Sequence, residues 1–225
     1  MIRDFGELEK LQVSSKGPLD FVTNSDKKVE KVILNELSKS RKNYSILSEE
    51  IGEIKNSDKD NFWIVDPIDG TTNFMHGVPH FAISIALKTN NEIVSGLILD
   101  PIKNEMFYAE KNNGAFFNNQ RIRVSKKRNL DQCLFATGGK SEFKSKLNTR
   151  RSGSAALDMA YVGAGRYDGH FQKNLKIWDV AAGIIIIKEA GGKVNEIDSS
   201  NGKNLNIIAG SNSIYDKLIE NLSNF

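Results

Sequence analysis

Residues 63–74 read WIVDPIDGTTNF. An aromatic and β-branched run, the composition of a buried strand, delivers Asp66 and Asp69 on either side of Pro67. Proline holds the residue before it in extended geometry, so the strand is expected to end there and Asp69 to lie on the turn that follows. Gly70, Thr71 and Thr72 have the composition of a tight turn whose backbone amides lead into a short helix and face an anion. Convergent carboxylates suit a hard divalent cation, and the neighbouring amides suit the phosphate that such a cation neutralises. A lone D-x-x-D is most often just a strand followed by an Asp-rich turn, but the full string DPIDGTTNF is far more specific.

Upstream, YSIL (44–47) and FWIV (62–65) read as strands that end at acidic residues. The first runs into Glu49 and Glu50; adjacent strand residues point to opposite faces, so one of the two is expected to reach a shared metal. Val29, Val32, Ile33 and Leu37 recur at helical spacing over Lys27–Ser40, with Ser25 or Asp26 available as N-cap. The preceding SSKGPLDFVTNSD (14–26) reads as a loop.

Downstream, FAISIALK (81–88), IVSGLIL (93–99), EMFYA (105–109) and AFFN (115–118) are spaced as an antiparallel meander with NN, DP and NNG turns. KKRNLD (126–131) reads as a turn and GGKSEFKSKLNTRR (138–151) as an exposed basic connection. The second half then alternates: SAALDMAYVGAG (154–165) is helical, DGHF (168–171) strand-like, and WDVAAGIIIIKEAGG (178–192) a buried helix. KVNEI (193–197) and NIIAG (206–210) read as strands, with a last helix near 213–222. The pattern predicts one catalytic domain of 225 residues, with an antiparallel-sheet half (1–136) and a smaller mixed α/β half (137–225) joined by crossovers.

Composition narrows the function. A net charge of +3 with mixed signs gives mild attraction for anions but no concentrated basic stripe, so direct nucleic-acid binding is not expected. The single cysteine, Cys133, forms neither an internal disulfide nor a thiolate cage, which fits a reducing cytoplasm. The opening MIRDFGELEK lacks the apolar run of a signal peptide, and no segment reaches the roughly 18 apolar residues of a membrane span. His76, His80 and His170 are scattered, and oxygen ligands without a His or Cys cluster favour Mg2+ or Mn2+ over zinc. Asp179, in WDVAAG, stands where an aspartate commonly caps a helix.

Taken in order, KGPLDFVTNSD, the EE pair, DPIDGTTNF and WDVAAG resemble the inositol monophosphatase family from about Lys16 to Gly192. The resemblance implies an α/β fold, an αβαβα layered sandwich, with Mg2+ as cofactor. By similarity, Glu49, Asp66, Asp69 and Asp179 ligate magnesium, with the Ile68 carbonyl as a further ligand. Thr71 orients or deprotonates the attacking water with help from Glu49, for direct in-line attack on phosphorus without a phosphoenzyme. The amides of Gly70 and Thr71 contact the phosphate, Gly153, Ser154 and Ala155 border the alcohol, Asp179 belongs to the same pocket, and Lys16 approaches the phosphate or an outer metal.

The implied substrate is inositol monophosphate or a related small phosphate ester, and the implied assembly a homodimer. The same scaffold carries histidinol-phosphate, fructose 1,6-bisphosphate and 3′-phosphoadenosine-nucleotide phosphatases, and also regulatory proteins associated with the transcription machinery. Three features depart from the family: Gln172 stands where a glutamate usually contacts the inositol hydroxyls, the segment before Lys16 is short, and the 138–151 connection is trimmed.

Overall fold

The computed structural model describes residues 1–7, 13–17, 20–138, 147–196 and 204–222, with the hairpin inside 13–22 described by its backbone. Among the described residues there are three sheets. The largest has eight strands in the order β10 (Gln120–Arg121), β9 (Gly114–Phe117), β8 (Glu105–Glu110), β7 (Glu92–Asp100), β6 (Ala82–Thr89), β5 (Asp58–Asp69), β3 (Tyr44–Ser48) and β4 (Gly52–Ile54). All neighbours are antiparallel except β3 and β5. The five-stranded sheet runs β12 (Thr149–Arg150), β11 (Phe135–Thr137), β13 (Gly169–Leu175), β15 (Leu205–Ser211) and β14 (Gly192–Val194), and β11 lies parallel to both of its neighbours. β1 (Val13–Gly17) and β2 (Asp20–Thr23) form a separate antiparallel pair. The chain passes from the large sheet to the smaller one between Arg121 and Phe135.

Helices α4 (Ala155–Gly163) and α5 (Ile177–Glu189) fill the space between the two large sheets. α5 is apolar all round, with Ile184 through Ile187 buried, as a helix covered on both faces must be. It lies so close to β7 that a Cβ on Gly96 would fall 2.7 Å from the Ala182 Cα, which is why that strand carries glycine there. Helix α2 (Asn24–Ser40) covers the outer face of the large sheet, packing Leu34 against Ile46 and Val65. On the far face of the small sheet, α6 (Tyr215–Asn221) packs Leu218 against Phe135 and Phe171. The layers are therefore αβαβα, as expected.

Several local expectations change. Within the 14–26 segment, residues 14–17 and 20–23 are paired strands and residues 24–26 start a helix. That start follows from T-N-S-D, which forms a capping box: Thr23 is the N-cap, its hydroxyl accepts from the Ser25 amide at 3.1 Å, and its own amide donates to Asp26 Oδ2 at 2.8 Å. Helix α2 thus begins three residues before Lys27, with neither Ser25 nor Asp26 as cap. Its buried stripe is Asp26, Glu30 and Leu34, whereas Val32 is 63% exposed. The meander is as read, and its turns use Asn90, Asn91, Asn112, Asn118 and Asn119 at positive φ. Of the 138–151 connection, residues 139–146 lie outside the described residues, as does residue 197 of KVNEI; Asn195 and Glu196 follow the end of β14. No helix among the described residues is long and apolar enough to cross a membrane.

Candidate active site

β5 does not end at Pro67. Lacking an N–H, proline cannot donate to the ladder with β6, and the strand passes it through a bulge: Asp66 pairs with Ser84 and Asp69 with Ala82. Asp66 Oδ1 accepts the Ile68 amide at 3.0 Å inside the bulge. Gly70 follows at φ +93, where a Cβ would approach the Gly153 and His80 carbonyls to 3.2 Å, so no other residue fits without displacement. The short helix α3 (Thr71–Met75) starts there.

The second contribution comes from the other strand of the parallel pair, at the same end, where Ser48 pairs with Val65. Glu49 and Glu50 lie in a turn after β3, not on the strand, so strand alternation does not decide between them. What orients the turn is Glu30 of α2, 1% exposed, which accepts the Ser48 hydroxyl and the Glu50 and Ile51 amides, the amides at 3.2 Å. Glu49 then lies near enough to Asp66 for its charge to act on that carboxyl, while Glu50 lines a groove between α2 and β4.

Asp179 arrives on α5. It is the third residue of the helix, not its cap, and its Oδ2 accepts the Lys176 amide at 2.7 Å. Ser84, the cross-strand partner of Asp66, donates to the Trp178 carbonyl at 3.2 Å and so ties the start of α5 to the bulge.

The four carboxylates act on one another. Burial, followed by the charges of Glu49, Asp69 and Asp179, holds Asp66 well above the usual carboxylate range. Burial raises Asp69 to about 6, against hydrogen bonds from Ser154, Ala156 and Ala155. Burial and the Asp69 charge raise Asp179, and the Lys176 amide opposes that rise.

Around this cluster, Thr71 Oγ1 has two acceptors, the Ile68 carbonyl at 2.9 Å and Asp26 Oδ1 at 3.2 Å. Asp26 is fully buried, and burial raises its pKa. Ser154, the N-cap of α4, donates its hydroxyl to Asp69 Oδ2, and the Ala156 amide reaches the same oxygen at 2.9 Å. Gly153 and Ala155 flank these contacts. Gln172 lies on β13 with its amide folded over Gly138. Lys16 lies on β1, and its side chain is outside the described residues.

Two partners were not anticipated from the sequence: Asp26 as the acceptor beside Thr71, and Glu30 as the brace of the Glu49 turn. Both belong to the polar-looking sequence of α2. Their signal is the spacing Asp26, Glu30, Leu34, a helical stripe in which two acids share a face with a core leucine.

Among the described residues, no three His, Cys, Asp or Glu side chains form a ready-made ion cage as they stand. Asp69 is turned to Ser154 and Ala156, and Asp66 to Glu49. The donor set nevertheless fits a hard divalent cation, being all oxygen. A cation among these carboxylates would neutralise the like-charge repulsion that, after burial, raises Asp66 and Asp179.

A two-sheet layered fold carrying clustered carboxylates beside a glycine-threonine turn belongs to the metal-dependent phosphatases. The inositol monophosphatase family model matches residues 2–224, and the chain belongs to that family. It is 44% identical to the inositol-1-monophosphatase of Caulobacter vibrioides, covering 99% of this chain and 94% of the relative. To the Nus factor SuhB of Escherichia coli K12 it is 40% identical, covering 95% and 86%. The crystal structure of the extragenic suppressor protein suhB from Bartonella henselae superposes with a TM-score of 0.90 at 47% identity, covering 98% and 92%.

Proposed function

We propose that this chain, as a single cytoplasmic catalytic unit that pairs into a homodimer, hydrolyses the phosphate monoester of a small polyol, with inositol monophosphate the leading substrate. The observation that carries the reading is the gathering of Glu49, Asp66, Asp69 and Asp179 from three separate stretches of chain into one mutually repelling group. These carboxylates and the Ile68 carbonyl would hold Mg2+, which supplies charge neutralisation and makes water a competent nucleophile at neutral pH. Thr71 orients that water and takes its proton, passing its own to Asp26, whose raised proton affinity suits a base. The amides of Gly70 and Thr71 receive the phosphate oxygens. Gly153, Ser154, Ala155, Gln172 and Asp179 shape the alcohol side, and Lys16 approaches from β1. Gln172 offers hydroxyls both a donor and an acceptor without charge.

Phosphate release with Mg2+ from inositol 1-phosphate, histidinol phosphate, fructose 1,6-bisphosphate and a 3′-phosphoadenosine nucleotide tests the reading. Fastest release from the inositol ester is expected; preference for the nucleotide would overturn the substrate, and no release from any ester would overturn the enzyme. The resemblance to a Nus factor over 95% of the chain supports a second role, association with the transcription machinery. Co-purification of a polymerase component with an inactive Asp69→Asn variant would establish it.

A further inference from the structure

Residues 151–154 link β12 to α4 and carry part of what touches Asp69. Two anchors hold this link. From α3, Asn73 Nδ2 donates to the Ser152 carbonyl at 2.9 Å and to the His80 carbonyl at 2.7 Å. From α4, Asp158 Oδ1 accepts the Ser152 hydroxyl at 2.7 Å, and Ser152 Oγ accepts the Ser154 amide at 3.2 Å. Ser154 Oγ and the Ala156 amide then converge on Asp69 Oδ2. A continuous line of hydrogen bonds therefore runs from Asp158 through Ser152 and Ser154 to a carboxylate of the cluster.

Asp158 is out of place by every packing criterion. It is 1% exposed, and its helix neighbours Ala155, Ala156, Leu157, Met159, Ala160 and Val162 are all buried and apolar. Its second oxygen faces the ring of His170, which is itself fully buried, with Nδ1 at 3.7 Å and neither ring nitrogen hydrogen-bonded among the described residues. Ser152 is its one side-chain hydrogen-bond partner among the described residues. A buried carboxyl with so little compensation costs stability, and an apolar residue would serve the helix better.

We propose that Asp158 is a positioning residue for Asp69: it fixes the Ser152 hydroxyl, which fixes Ser154, which sets the rotamer in which Asp69 meets the cation. This rests on Asp69 being a cation ligand. Supports of this kind typically change metal affinity by about 10- to 100-fold when removed.

The test uses the whole chain and two readouts: Mn2+ binding without substrate, followed by loss of the free-ion paramagnetic resonance signal, and the Mg2+ concentration giving half-maximal phosphate release. Asp158→Ala and Ser152→Ala are each expected to weaken Mn2+ binding about 10-fold and to raise the Mg2+ requirement in parallel, with kcat at saturating Mg2+ changed far less. Asp158→Asn keeps the acceptor oxygen and should stay within about 2-fold of the parent. The double variant Ser152→Ala/Asp158→Ala should be no worse than the weaker single one, because both cut the same line.

Unchanged Mn2+ binding in Ser152→Ala overturns the proposal, and so do additive losses in the double variant. Because Ser152 is outside the helix, its variant decides the matter even if Asp158→Ala fails to fold. A parent protein that neither binds Mn2+ nor releases phosphate with Mg2+ would instead defeat the reading of Asp69 itself.

Discussion

Two sets of buried carboxylates in this molecule are treated in opposite ways. Asp100 and Asp168, at 0% and 1% exposure, each receive a lysine of their own chain as well as backbone amides: Lys103 with the Ile102 and Lys103 amides, and Lys127 with the Leu134 amide. Asp66, Asp69 and Asp179 lie together and take part in none of the ion pairs among the described residues; Lys176 tempers Asp179 only weakly. Asp100 and Asp168 are given an internal cation, and the aspartates gathered at the bulge are left to repel one another. Such an arrangement is unstable without an external positive charge, which is what an ion-binding site requires.

The largest effect should come from removing one member of the uncompensated set. Asp69→Asn keeps volume and keeps an oxygen for Ser154 and Ala156, so the fold should persist while Mg2+-dependent turnover falls by about 10³-fold or more. Phosphate-release assays beside circular dichroism decide it. Activity within 10-fold of the parent would erase the distinction between the two sets.

Next comes pH. Raising the Asp69 pKa from 3.8 to about 6 means the folded chain holds a proton that the unfolded chain has released, so its contribution to stability declines as pH rises through that interval. Asp66 and Asp179 are shifted in the same sense. His170 runs the other way: burial lowers it to about 4, so stability is lost as pH falls from about 6.5 towards 4. At about 1.4 kcal/mol per pH unit, Asp69 and His170 are each worth on the order of 3 kcal/mol. Between pH 5 and pH 7 the His170 gain offsets the Asp69 loss, and the raised Asp66 and Asp179 tip the balance. In chelator, the parent should therefore melt lower at pH 7 than at pH 5, Asp69→Asn should flatten that decline, and His170→Phe should steepen it. Divalent cation at pH 7 should restore the lost midpoint. Identical profiles for the two variants would contradict the assignment of opposite signs.

A narrower effect separates proton handling from ion holding. Thr71→Val removes a hydroxyl at nearly constant shape, and kcat should drop about 10²-fold with the Mg2+ requirement changed less than about 2-fold. If the Mg2+ requirement rises as steeply as kcat falls, Thr71 belongs with the ligand framework and not with the proton path to Asp26.

Most of the carboxylate set was legible because each member sits in a short contiguous string: EE, DPIDG and WD each combine a strand or helix end with an acid. The α4–α5 layer was equally plain, since IIII inside a helical span has no polar face to expose. What the sequence hid are contributions that cross the usual periodicities. Asp26 and Glu30 share the buried stripe of α2 with Leu34, and a hydrophobic reading of that helix picks Val32 instead. The hairpin at 13–23 was hidden for a related reason, its glycine, proline and serine composition being that of a loop. The bulge at Pro67 was missed because a proline rule about local backbone says nothing of a strand that continues by skipping one ladder position.

The smallest prediction probes the compensated set. Lys127 Nζ lies 2.9 Å from Asp168 Oδ2 and is 47% exposed, so water already weakens the pair, and Lys127→Met leaves Asp168 with the Leu134 amide. The loss should be about 1–2 kcal/mol, between an exposed pair and a fully buried one, and the melting midpoint should fall by about 2–8 °C for a chain of this length. That drop should be equal with and without Mg2+, and kcat should not change, because Asp168 stabilises the Leu134–Asp168 junction, which lies apart from the bulge. A midpoint that Mg2+ rescues would place Asp168 in electrostatic contact with the ion site. The two sets would then be one network, and the contrast between Asp168 and the Asp66 cluster would be lost.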